Sequence, residues 1–261
     1  KEINLHTDNK IKRKAISYSK LYGFSDGQIA RCMNTSSHTI RRFRHKTDIQ
    51  PVTKQIDTLA AEWPAQTNYL YLSYGGTYDD INYEAKNGVF QRDPSESKII
   101  VLGSGVYRIG SSVEFDWGCV NMAWALKKMG VKEVIMVNYN PETVSTDYDV
   151  SDKLYFEELS AERVLDICHK EYADGLVVSV GGQIANNLTA NFTKYQNAFR
   201  SAGIKILGTE GKNIAKAESR TQFSDVMDKL GIKQPEWAKL ENLDGAIEFA
   251  ERVEYPVLVR P

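Results

Sequence analysis

Apolar and polar residues follow two different periods along this 261-residue chain, and the changes between them mark its elements. From Lys98 onward the short apolar runs "KIIVL", "EVIMVN", "KLYF", "GLVVSV" and "IKIL" read as strands. Between them lie stretches of helical spacing near 112–129, 160–170, 183–201 and 211–217. In the first of these, Val113, Trp117, Val120 and Trp124 recur at i, i+4, i+7 and i+11, and Gly130 is placed to end the helix. Strands that alternate with helices predict a doubly wound, mostly parallel α/β sheet of Rossmann-like type over 98–208. After "ILGT" the order becomes helix "SRTQFSDVMDKLG", extended "PEWAKL", helix "LDGAIEFAERV" and a strand-like run Val257–Val259, so 209–261 reads as the beginning of a second α/β unit. A domain rarely ends inside a strand, and the chain is therefore expected to be a fragment that stops at Pro261.

Ahead of the sheet, residues 1–50 carry eleven Lys or Arg against four Asp or Glu. Within them Ser25 and Gln28 have capping-box spacing, Ile29 and Met33 share a face, and Ile40 and Phe43 point inward on a second helix. Two helices joined by the polar turn "NTS" match the outline of a helix-turn-helix. On that outline Arg41, Arg42 and Arg44 either meet phosphates and guanines or form the solvated face of a small helical domain, here given the bounds 1–54. From Gln55 to Ala85 there is no Lys or Arg, while Tyr69, Tyr71, Tyr74, Tyr78 and Tyr83 crowd together. A stacking surface for single-stranded bases also needs a positive groove, so 55–97 reads instead as a linker that packs on the following domain.

Composition narrows the class. With 42% hydrophobic residues, 26% charged residues and a net charge of -1, the chain is that of an ordinary globular protein. No apolar run approaches the ~20 residues that cross a bilayer, and neither a membrane nor a nucleic acid is expected as a partner. Cys32, Cys119 and Cys168 are far apart, which excludes a zinc set or a disulfide framework and fits a reducing compartment.

The candidate chemistry begins at "VLGSGVYRIGSSVEFDW". A dinucleotide fingerprint needs G-x-G-x-x-G and an acid at the tip of the next strand. Here Gly103 and Gly105 fit, but Arg108 stands at the third position, Gly110 is displaced, and the strand tip is Asn138. Glu114 and Asp116 in the first turn of the helix suit its dipole and would repel a pyrophosphate. No G-K-[ST] follows for a P-loop. Gly181, Gly182 and Gln183 form a turn after a strand, at the carboxyl edge of the sheet.

These segments, with "VIMVNYNPETVSTDYDVSDKLYFEEL", "VVSVGGQIANNL", "IAKAESRTQFSDVMDKLGIKQPEW" and "YPVLVRP", closely resemble the large (synthetase) subunits of carbamoyl phosphate synthetases at the start of their second half. "GFSDGQIAR" and "QPVTKQIDTLAAEWPAQTNYLYLSY" are similar to the same subunits' oligomerisation region and the link after it. The resemblance implies a pre-ATP-grasp domain at 98–208 and the start of an ATP-grasp domain at 209–261. It implies an ATP-dependent carbon-nitrogen ligase that phosphorylates carbamate to carbamoyl phosphate, from bicarbonate, ammonia or glutamine and two ATP, in pyrimidine or arginine biosynthesis. The implied partner is a glutaminase domain or small subunit, the assembly an oligomer, and the compartment cytoplasmic or mitochondrial. Magnesium or manganese ligands are expected beyond Pro261, none within the chain, which alone is expected to be inactive.

Carried over by position, Arg220 in "AESRTQF" and Arg260 in "VLVRP" would contact ATP, and Glu114, Ser112 and Glu142 would line a carbamate path. For Arg220, which shares a stripe with Phe223, Met227 and Leu230, an inward guanidinium needs an anion, either a phosphate or Glu218. Arg260 also reads as a strand-edge surface residue, and the two glutamates as capping and turn residues. The sequence departs from the family at Ala185, where proline is usual, and at Gly118, where many relatives have cysteine; the connection after Leu188 is longer. A different class of function consistent with the first helices is a helix-turn-helix regulator joined to a nucleotide-sensing domain.

Overall fold

Ser25 and Gln28 cap each other as their spacing predicts: Gln28 N donates to Ser25 Oγ at 3.2 Å, and Ser25 N donates to Gln28 Oε1 at 2.8 Å. In the computed structural model, which describes residues 8–83, 93–105, 113–194, 199 and 203–259, this cap starts α2 (Asp26–Cys32), with α1 (Asn9–Leu21) before it and α3 (Ser37–Lys46) after it. The apolar spacing does not predict α1, because its buried residues are only Ile16 and Lys20. Ile16, Ile29, Ala30, Met33, Ile40 and Ile49 make one small core, with Phe43 and Tyr74 against it.

The tyrosine-rich segment enters the sheet. β1 (Val52–Gln55) pairs antiparallel with β2 (Tyr69–Ser73), and β2 pairs in parallel with β5 (Lys153–Tyr155). The reason lies in "YLYLS": Leu70 and Leu72 are buried and Tyr71 is exposed, the two-residue alternation of a strand with one covered face. With β3 (Lys98–Leu102), β4 (Glu133–Val137), β6 (Gly175–Val177) and β7 (Lys205–Leu207), the described strands form one sheet in the order β1-β2-β5-β4-β3-β6-β7, parallel except at β1. The central β3 and β4 are near-continuous apolar runs because helices cover both of their faces.

Helix α4 (Val113–Lys128) follows β3, α5 (Ala161–Glu171) follows β5, and α6 (Gly182–Lys194) follows β6. The expected core stripe of α4 is not the buried one: Val113, Trp117 and Trp124 are exposed, and only Val120 of that stripe is buried. Asp116, Cys119, Val120, Ala123 and Leu126 face inward instead. Small side chains at Cys119 and Ala123 bring the helix close to Val101, Val134 and Met136, which a face of two tryptophans would prevent. Burial pushes the Cys119 and Cys168 thiols up to about 12, so neither is a thiolate at neutral pH.

Residues 1–211 form one compact unit and 212–261 a second. The second is described by α7 (Gly211–Glu218), α8 (Arg220–Lys229) and α9 (Leu243–Val253). The strand expected at Val257–Val259 does not form; Leu258 and Val259 are exposed and pair with no ladder among the described residues.

Arg41 and Arg44, on the basic face of the first helices, are neither solvated nor open to a phosphate. Arg44 is fully buried, with Nε and Nη2 donating to the two carboxylate oxygens of Asp26 at 2.7 Å each and Nη1 donating to Ile49 O at 3.2 Å. Arg41 Nη1 pairs with Asp166 and Lys20 Nζ with Glu162, both acids on α5. Only Arg42 of the three arginines stays exposed. The corrected reading is an internal, charge-paired seam between the N-terminal helices and α5. Tyr74 lies in it, its ring 5.0 Å from Lys20 Nζ, 5.8 Å from the Arg44 guanidinium and 5.5 Å from that of Arg163.

His45 is in the same seam, 3.9 Å from Asp166. Burial, then the nearby Arg41 charge, lowers its pKa to about 4. The unfolded chain, with an ordinary imidazole near 6.5, therefore binds a proton that the folded one refuses, and stability falls as pH drops from about 6.5 towards 4. His45→Gln should remove about 1–2 kcal/mol of the difference in unfolding free energy between pH 7 and pH 5, read by urea titration at each pH. An unaltered pH dependence would contradict it.

Candidate functional site

Ligands of open α/β sheets gather outside the carboxyl ends of the strands, where the strand order reverses. Here the chain runs from β3 to β4 on one side and returns through β6 on the other, so the reversal falls beside β3. Three turns meet at that edge: Gly103–Gly105 after β3, Asn138–Thr146 after β4, and Val178–Gln183 after β6.

Asn138, fully buried, joins the first two. Its Oδ1 accepts from Gly105 N at 3.2 Å and from Asn140 N at 3.2 Å, while its Nδ2 donates to Ser145 Oγ at 3.2 Å and to Thr143 Oγ1 at 3.4 Å. A side chain at Gly103 would overlap it, since a Cβ there would lie 2.6 Å from Asn138 Cγ. Asp116, in the first turn of α4, joins the second turn to the helix: its carboxylate accepts from Val144 N at 2.9 Å and from Ser145 N at 3.2 Å. Asn140 closes the turn on itself, accepting from Glu142 N through Oδ1 at 3.0 Å and from Thr146 Oγ1 through its carbonyl at 3.1 Å.

The third turn presses on the first. A Cβ at Gly181 would lie 2.5 Å from Leu102 O and overlap Gly103 O, and one at Gly182 would lie 2.6 Å from the ring of Phe115. Backbone contact this close admits only glycine at 181.

Against this frame the sequence-predicted residues separate. Glu114 and Glu142 are both exposed and border the Asp116 bridge, one on α4 and one on the Asn140–Thr146 turn. Ser112, Arg108, Gly110 and Arg260 lie outside the described residues. Arg220 is exposed in the first turn of α8, after the cap in which Gln222 N donates to Ser219 Oγ at 3.4 Å. The inward placement expected for it does not occur, because no residue of α8 is buried and Phe223 and Leu230 are themselves exposed. By sequence Asn138 and Asp116 suggest only a missing ribose acceptor and a dipole partner; the signal for their actual role is the density of short polar residues in "NYNPETVSTD", which supply hydroxyls and turn amides to bind. The Gly105 amide that a dinucleotide cradle would offer is engaged by Asn138. Among the described residues no three His, Cys, Asp or Glu side chains converge as a metal set.

The strand order, the glycine turn and the polar turn after β4 define a doubly wound α/β domain with its ligand edge at the switch point beside β3. Residues 95–216 match the family model described as the carbamoyl phosphate synthase preATP-grasp domain. Those residues belong to that domain family, and the chain as a whole is similar to carbamoyl phosphate synthase large chains. It is 49% identical to the arginine-specific large chain, mitochondrial, of carbamoyl phosphate synthase from Neurospora crassa, over 96% of this chain and 20% of that protein. It is 45% identical to the carbamoyl phosphate synthase large chain of Sulfolobus acidocaldarius, over 99% of this chain and 23% of that one. The multifunctional protein CAD of Squalus acanthias is 45% identical over 98% of this chain and 11% of its own length. The chain thus spans about a fifth of the length of the large chains it matches. Of solved structures, the biotin carboxylase domain of a single-chain bacterial carboxylase overlays with a TM-score of 0.44 at 14% identity, over 60% of this chain and 34% of that one, a level from which nothing follows for chemistry.

Proposed function

We propose that this chain is part of an enzyme that phosphorylates carbamate with ATP to give carbamoyl phosphate, and that the edge described above is a wall of the route by which carbamate arrives. The observation that carries the reading is the pair Glu114 and Glu142, exposed on two segments that the Asp116 carboxylate bonds together at the switch point of the sheet. Family membership supplies the substrate class. In the step proposed, a carbamate oxygen attacks the γ-phosphorus of ATP, the new O–P bond forms as the bond to the bridging oxygen breaks, and ADP leaves with the charge.

In this reading Arg220, and Arg260 beyond the described residues, stabilise phosphate charge. The exposure of Arg220 leaves its guanidinium available to a nucleotide held by the rest of the enzyme. ATP would carry magnesium or manganese; the described residues form no set for a cation, and no step is assigned to one here. The wider enzyme would take ammonia from a glutaminase domain or small subunit, work as an oligomer, and serve pyrimidine or arginine synthesis in cytoplasm or mitochondrion. Among the described residues no helix is long and apolar enough to cross a membrane. The regulator reading loses Arg41 and Arg44, both engaged inside the protein.

Arg220→Ala in the full-length enzyme should raise the KM for ATP in carbamoyl phosphate formation about tenfold, the worth of one charge-assisted hydrogen bond, and leave glutamine hydrolysis intact. Steady-state kinetics with ATP varied make the check, and unchanged constants would remove Arg220 from the nucleotide site.

A further inference from the structure

We infer that Asp116 and Asn138 are the positioning residues of this site: they fix the turn that carries Glu142 against both the glycine turn and the segment of α4 that carries Glu114. The inference rests on the carbamate-route reading and deepens it. The turn from Asn140 to Thr146 is too short and too polar to hold itself on the sheet by apolar burial; Val144, its one aliphatic side chain besides Pro141, is exposed. Its place is set by hydrogen bonds, and among the described residues two buried side chains outside the turn take several of them. Asp116 receives two successive backbone amides, Val144 N and Ser145 N. Asn138 donates to two hydroxyls of the turn, accepts the Asn140 amide, and with the same Oδ1 accepts the Gly105 amide of the neighbouring turn.

The chemistry of each side chain suits the task. A carboxylate held by two backbone N–H groups is a strong, charge-assisted anchor, and at Asp116 it is 7% exposed. An amide side chain offers two N–H donors for the hydroxyls and a carbonyl oxygen for two main-chain N–H groups without carrying charge, and Asn138 is 0% exposed. The bonds at Asn138 run in both directions, so displacing it releases the glycine turn and the Glu142 turn together. For a route that must keep a labile intermediate away from water, wall residues held to within about 0.5 Å are the requirement, and these two supply the holding without needing to touch the intermediate.

The test uses the full-length enzyme with its ammonia source and measures ATP consumed per carbamoyl phosphate formed. Asp116→Ala and Asn138→Ala should raise that ratio about tenfold, less than the roughly hundredfold that a full 1 Å misplacement of a reacting group can cost. Asn138→Asp keeps both accepted amides, and the two hydroxyls can turn to donate to it, so it should restore most of the coupling. Glu142→Gln is the parallel test of the route itself. If it raises the ratio while both alanine variants lower total activity with the ratio unchanged, positioning by Asp116 and Asn138 is overturned and the route stands. If Glu142→Gln and Glu114→Gln leave the ratio unchanged, the route reading falls. Should the alanine variants not fold, Asp116→Asn, which keeps one acceptor oxygen, replaces the first, and a ratio equal to that of the parent would refute the inference.

Discussion

Arg44→Ala lowers the stability of the 1–211 unit by about 3–5 kcal/mol, because it takes the two-pronged cation from a buried carboxylate. Arg44 is fully buried and holds both oxygens of Asp26, and Asp166 Oδ2 lies 3.5 Å from its Nη2. Burial alone would disfavour the guanidinium charge, but Asp166 and Asp26 overcome it and raise the group's pKa. Lys20 Nζ, 3.5 Å from Asp26, and Arg41 beside Asp166 leave some positive charge in the seam, but Lys20 is already bonded to Glu162 and neither replaces the two hydrogen bonds that Arg44 gives Asp26. Urea unfolding at pH 7 makes the measurement. Arg44→Lys should lose less, since it keeps the charge but not the two-pronged geometry. Arg44→Met combined with Asp26→Leu should recover most of the loss, because replacing a whole buried pair by apolar groups is close to neutral. A loss under about 1 kcal/mol for Arg44→Ala would mean that the seam behaves like surface ion pairing.

The seam also shows where sequence reading stops. Arg41 and Arg44 stand beside each other in a basic run, and their acids on α5 are more than a hundred residues away, so no local spacing distinguishes an internal ion network from a solvated face. Elements whose burial is decided locally were legible. β3 and β4 announce themselves as unbroken apolar runs, and the α2 cap as a Ser25–Gln28 pair. Two local signals misled for physical reasons. On α4 the large Trp117 and Trp124 outweigh Cys119 and Ala123 in any hydrophobic count, yet close packing on a sheet selects the small residues for the inner face. In "YLYLS" the alternation was present, but a strand pairing forward to β5, past the first strand of the predicted sheet, cannot be read from a stretch that looks like a link. At the site, the family pattern points to Glu114 and Glu142, whereas Asn138 reads in sequence as a missing ribose acceptor, and its real partners, backbone amides and hydroxyls, leave no trace in a motif.

Gly181→Ala is expected to reduce carbamoyl phosphate formation by the full-length enzyme about a hundredfold and to cost about 2–3 kcal/mol of stability. The added methyl meets three neighbours that cannot yield: the carbonyl of Gly103, that of Leu102 at 2.5 Å, and Ala185 Cβ at 2.8 Å. Two of these are main chain at the end of the central strand, and the third belongs to the first turns of α6, so the strain is relieved only by moving the β6 turn away from the glycine turn. Asn138 then passes the movement on, since it bonds Gly105 on one side and the Glu142 turn on the other. Gly118→Ala is the matched control in the same junction. Its Cβ would lie 3.4 Å from Val180 O, an acceptable contact, and the gain from replacing a mid-helix glycine, about 0.5–1 kcal/mol, offsets what strain remains. Stability and turnover within about twofold of the parent are expected there. If Gly181→Ala were equally mild, the three turns would be separate loops rather than one frame, and the wall proposed for Glu114 and Glu142 would have no rigid support.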